Sequence, residues 1–173
     1  MWMKILGSVL VTVSCSGLGL WKADQWKEHR KLLEQIRKMI LLLKGEILYA
    51  HAPLGEALEH VGRKSEGIPA RLFCRVAERI GQQDGELFYD LWKEAIDSHR
   101  KELLLTEKEC EEFKALGEHL GYLDLGMQER TIELYLEQLE LSLNFYREHE
   151  QERVKLCTSL GVMGGLFLSI IMC

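Results

Sequence analysis

Three glutamates at helical spacing, Glu133, Glu137 and Glu140, are the side chains best placed to do chemistry, and that chemistry is electrostatic recognition. They share one side of a helix, away from its apolar stripe. Residues 107–140 hold ten acidic side chains against Lys108, Lys114 and Arg130, a balance of −7. A basic partner surface would be drawn to such a face. Pairing with Arg30, Arg37 and Lys38 of an antiparallel helix would use the same charges internally. The second candidate is the corner at Glu46 and Tyr49, where one helix gives way to the next. There the two side chains can offer a docking point, or Ile47, Leu48 and Leu54 can simply pack inward while Pro53 sets the bend and Glu46 pairs locally.

Catalytic and metal chemistry have little to work with. The six histidines are scattered, no HExxH or Cys/His ligand spacing occurs, and the glycines form neither a P-loop nor a dinucleotide fingerprint. Adjacent Glu111 and Glu112 point to different sides of a helix, so they are not a dyad. The expectation is a protein that is not an enzyme, with no cofactor and no metal. Of five cysteines, Cys15, Cys157 and Cys173 fall in the apolar ends, leaving Cys74 and Cys110 without a CxxC pair, as suits a reducing cytoplasm. A net charge of −5 disfavours general nucleic-acid binding, which needs a basic face to neutralise phosphates.

The apolar ends decide how these residues are held. Residues 5–21 and 156–173 carry no charge, and at 17 and 18 residues each sits at the short limit for a helix crossing about 30 Å of hydrocarbon. Lys22, Lys27, Arg30 and Lys31 follow the first, and Arg147, Arg153 and Lys155 precede the second, with Lys4 alone opposed. Basic flanks stay in the cytoplasm, so residues 22–155 are expected there, between two transmembrane helices. Trp2 and Trp21 suit the membrane interface and favour a retained anchor over a cleaved signal peptide, whose competing pattern is Lys4 with the box ending at Cys15. Ser8, Thr12 and Ser16 line one face of the first span, and Gly161 with Gly165 makes GxxxG in the second; small residues allow close helix packing in lipid.

The 134 residues between the spans suffice for one domain. Two prolines, no alternating β-branched run and helical periodicity throughout predict an all-α fold. Trp26, Leu33, Ile36, Ile40, Leu43, Ile47 and Ala50 form one stripe of a helix over 22–51, roughly 45 Å long. Pro53 and Pro69 suit first turns, predicting helices over 53–64 and 69–80. A helix over 86–104 follows. Thr106 and Glu109 make a capping box for another, ending near Gly117 or Gly121. The last helix begins near Leu125 with Ile132, Tyr135, Leu136, Leu139, Leu143 and Tyr146 as its stripe, and continues through Lys155 into the second span. The expectation is a six-helix bundle with long antiparallel first and last helices, and with Phe73, Phe88, Trp92 and Phe113 in its core.

The run Glu46-Ile47-Leu48-Tyr49-Ala50-His51-Ala52-Pro53-Leu54, the stretch Gly117-Glu118-His119-Leu120-Gly121, and closing Ser159-Leu160-Gly161 with Gly165-Leu166 resemble the stage III sporulation protein AB family over essentially the whole chain. That family is in turn similar to the cytoplasmic helical domains of type II secretion and type IV pilus platform proteins. The resemblance implies a non-enzymatic part of the channel between mother cell and forespore. Its body would lie in the mother-cell cytoplasm, anchored in the outer forespore membrane. It would couple a secretion-type ATPase, stage III sporulation protein AA, to other channel proteins, with self-association open to it. A membrane sensor or adaptor with its bundle outside the cytoplasm is the alternative, opposed by the basic flanks.

Overall fold

The computed structural model describes the backbone of residues 2–82, 85–121 and 124–172; side chains are described within 24–149 of those stretches and at Ser159 and Met163. Seven helices are present among the described residues: α1 (Trp2–Leu48), α2 (Leu54–Lys64), α3 (Gly67–Gly81), α4 (Phe88–Ser98), α5 (Arg100–Leu103), α6 (Glu107–Leu120) and α7 (Leu125–Met172). The described residues form no strand, so the fold is all-α. No helix among the described residues is long and apolar enough to cross a membrane. Within the expected spans 5–21 and 156–173, only the side chains of Ser159 and Met163 are described.

The chain divides into two compact units, one of residues 32–141 and one of residues 1–31 with 142–173. In the first unit, Arg37 pairs with Glu140 and Lys44 with Glu133, so the α1 and α7 segments run antiparallel, as expected. Leu33, Ile36, Ile40, Leu43 and Ile47 step by threes and fours and are buried, as are Ile132, Tyr135 and Leu139. Within the second unit, Trp26 meets Tyr146 edge-on at 5.1 Å between ring centroids, and His29 packs on the same ring.

The centre of the larger unit is Trp92 on α4. Its ring contacts Phe73 of α3 at 5.5 Å, Phe88 at 5.9 Å and Phe113 of α6 at 5.0 Å. Phe113 stacks in turn on Tyr135 of α7, whose phenol pKa burial pushes well up. The indole Nε1 donates to the Phe113 carbonyl at 2.8 Å, which satisfies the one polar atom the ring buries. Such proximity needs a bare backbone: a Cβ on Gly117 would overlap the indole. Nearby, Lys114 donates to Asp97 of α4 at 2.7 Å and to Glu111 at 3.0 Å, clamping α4 to α6 and holding its ammonium pKa above the usual value.

Several predicted boundaries move, each for a local reason. The helix expected over 86–104 begins at Phe88 and divides at His99. The Ser98 hydroxyl bonds the Ala95 carbonyl at 2.9 Å and His99 Nδ1 approaches the same oxygen at 2.8 Å, so side chains compete with the helical ladder. Leu104 then turns left-handed at φ 52°. The first helix ends at Leu48 rather than His51, because His51 takes φ 50°, and Ala50 is exposed rather than on the stripe. Pro53 caps α2 from outside, and Pro69 sits in the first turn of a helix that opens at Gly67. The capping box is present: Glu109 N donates to Thr106 Oγ1 and Thr106 N to Glu109 Oε2. Its helix passes through Gly117 instead of stopping there, and ends before Gly121, where Phe88 crowds the chain.

The two helical glycines Gly117 and Gly45 therefore separate packing from propensity. Gly117→Ala forces Trp92 off its seat and is expected to cost about 1–3 kcal/mol in urea unfolding. Gly45→Ala, with nothing within 4 Å of the added carbon, gains about 0.5–1 kcal/mol from helix propensity. Equal and same-signed shifts would show that Trp92 does not rest on Gly117.

Candidate functional site

Of the three glutamates on α7, two are engaged within the molecule. Glu140 Oε2 forms an ion pair with Arg37 Nε at 2.7 Å; Glu133 accepts from Lys44 at 2.6 Å, with Glu129 adding a contact at 3.6 Å. The Glu133 hydrogen bond, with the charges of Glu133 and Glu129, holds the Lys44 ammonium pKa above its ordinary value. Arg37 and Lys44 are seven residues apart, as are Glu140 and Glu133, so the pairs form a ladder fixing the α1–α7 register. Arg37 pairs as expected, and Lys44, outside the expected set, supplies the second cation. Glu137 stays exposed, and no ion pair ties it to any described residue.

The Glu46 corner divides similarly. Glu46 reaches α2, accepting from Lys64 at 3.0 Å with His60 Nδ1 at 3.4 Å, and these two neighbours hold its carboxyl below the usual range. The turn beyond it is closed by backbone bonds, Tyr49 N to Gly45 O at 3.1 Å and Ala52 N to Glu46 O at 3.0 Å. Tyr49 is thrust outward, 82% exposed. Glu46 is thus a joint between α1 and α2, and Tyr49 is the side chain left open to a partner. Ser8, Thr12, Ser16, Gly161 and Gly165 lie outside the described side chains.

Two features escaped the sequence reading. Lys114 carries no periodicity signal, because a lysine within the apolar face of α6 reads as solvent until Asp97 is brought beside it. The indole seat on Gly117 was legible only as a permissive glycine. Among the described residues, no group of three His, Cys, Asp or Glu side chains could hold a metal ion.

The family described as stage III sporulation protein AB matches residues 4–173. The chain belongs to that family. It is 26% identical over 170 residues to stage III sporulation protein AB of Bacillus subtilis (strain 168), spanning 98% of this chain and 99% of that protein. A solved structure of a stage III sporulation protein AB matches with a TM-score of 0.66 at 25% identity, over 72% of this chain and 98% of the solved one. The likeness carried by the 46–54 run and the two glycine-bearing stretches is therefore one of family.

The Glu46 joint gives a pH test with a defined sign. Its depressed folded pKa means that its contribution is present above the unfolded value of about 4.3 and is lost as pH falls through the folded one. Glu46→Gln should lower the melting temperature modestly at pH 7, and the gap to the parent should close below about pH 4. A gap that persists into acid would assign the loss to packing rather than to the charge.

Proposed function

We propose that the chain is a non-enzymatic coupling component of a sporulation channel, joining a cytoplasmic secretion-type ATPase to membrane partners. The observation that carries this reading is the family match from residue 4 to 173, apolar ends included. In this reading residues 5–21 and 156–173 are membrane helices and residues 22–155 are the body between them, in the mother-cell cytoplasm at the outer forespore membrane. Basic side chains next to both apolar ends support that orientation. A coupling protein needs rigid helices and exposed contact surface rather than a reactive pocket. The charge ladder supplies the first, and the outward Tyr49 and Glu137 supply the second.

Two measurements test the proposal. A phosphatase reporter fused after Cys173 should be active outside the cytoplasm, and one inserted near Gln82 silent; the reverse pattern would place the body outside and favour a sensor. The full chain in detergent micelles should capture purified stage III sporulation protein AA at micromolar concentration, more weakly as salt rises. No capture at low salt, with the chain folded, removes the coupling role.

A further inference from the structure

Two exposed stripes run along the outer side of the larger unit. On α7, Met127, Arg130, Leu134, Glu137 and Leu141 step by threes and fours, the spacing of a helix–helix seam, and all are exposed, Leu134 at 56% and Leu141 at 71%. At about 100° per residue they fall on the opposite side of the helix from buried Ile132, Tyr135 and Leu139. On α1 and the turn after it, Lys38, Leu42, Gly45 and Tyr49 repeat the pattern opposite the buried stripe, and a side chain at Gly45 would meet open space. Between the stripes lies an open groove of about 530 Å³, with Leu41 on its α1 side, Leu134 and Leu136 on its α7 side, and five charged side chains, Glu137 and Arg130 among them, completing its lining. Single exposed leucines are ordinary; apolar residues aligned on two adjacent helices around one groove are not.

We propose that this two-helix face is where two copies of the chain meet, about a dyad parallel to α1 and α7. The register selects a second copy. Within one copy the ion pairs set Arg37 level with Glu140 and Lys44 level with Glu133. A dyad along the helix axes keeps every residue at its own level while laying each α7 on the other copy's α1. Leu134 of one copy then faces Leu42 of the other, Met127 faces Tyr49, and Glu137 comes beside Lys38.

Charge agrees with that register. Glu137 and Lys38 are exposed, of opposite sign, and without an ion pair to any described residue. Each contact occurs twice, as an isologous interface requires. The four helices form an antiparallel bundle in which both copies keep one polarity, as two chains held in one membrane would.

Size sets the expected strength. About 17 residues of each helix give roughly 25 Å of length, and two helices about 10 Å apart present roughly 500 Å² per copy. That lies at the low end for a specific interface, so a micromolar dimer is expected.

The test uses the full chain alone in detergent micelles, so its outcome is independent of ATPase coupling. Sedimentation should show a monomer–dimer equilibrium near micromolar. Leu134→Lys and Leu42→Lys, at exposed positions that leave helicity and melting unchanged, should each weaken it about a hundredfold, because every substitution acts twice. Lys38→Glu and Glu137→Lys should each weaken the dimer, and the double exchange should restore it. A benzophenone side chain at position 134 should label the partner's α1. A monomer up to about 200 μM, a dimer indifferent to both lysine variants and so held by other surfaces, or labelling of α7 instead of α1, would each overturn the proposal.

Discussion

The indole of Trp92 lying on the bare backbone of Gly117 is the contact on which the larger unit depends. It lets α4 approach α6 closely enough for Nε1 to reach the Phe113 carbonyl, and it gathers three aromatic rings, one stacked, one tilted and one edge-on, around one point. Phe113 passes that order to Tyr135, so the short helices are referenced to α7 through a continuous chain of rings. The Lys114 clamp is a consequence rather than a cause: its ammonium can be shielded and still paired only because α4 already brings Asp97 within 2.7 Å.

The long helices follow a different logic. Their buried stripes attract without fixing position along the axis, since an apolar seam slipped by one heptad would still bury leucine and isoleucine. The Arg37–Glu140 and Lys44–Glu133 rungs restrict that freedom, because a slip of one heptad would leave only one of the two cations opposite a rung glutamate. Each rung is partly exposed, and such pairs contribute about 0–1 kcal/mol. Their value is registry more than stability. Glu46 does the same at the α1–α2 joint, tying the end of one helix to Lys64 near the end of the next.

What the sequence revealed and what it hid divide along that line. The buried stripes, the antiparallel long helices, the capping box at Thr106 and the aromatic core were legible because each is a periodicity or a short-range pattern. The break at His99 was not, since it arises where Ser98 and His99 both turn to the Ala95 carbonyl, which no apolar spacing reports. Glu133, Glu137 and Glu140 are legible in the sequence as one helical face. Its meaning depended on which cations lay opposite, and the pairing of Lys44 with Glu133 is set by the interhelix register, a tertiary quantity. Glycines gave the weakest signal: Gly117 and Gly45 look alike in sequence, yet one is a seat for a tryptophan and the other faces open space.

Each long helix of the larger unit thus carries three faces with separate roles. The inner face holds Ile40 and Tyr135 in the core, the flanks hold the ion-pair rungs, and the outer face keeps Leu42, Leu134 and Leu141 in solvent. Folding needs the first two and gains nothing from the third, since lysine or glutamate would serve an exposed helix face equally well. An outer stripe that retains the seam spacing therefore points to contact with another helix. Of Glu133, Glu137 and Glu140, Glu137 is the one left outside the rungs, and it stands on that stripe. Charge in this protein does little to hold the chain together and much to decide what lies level with what, both between its own helices and at the surface it offers.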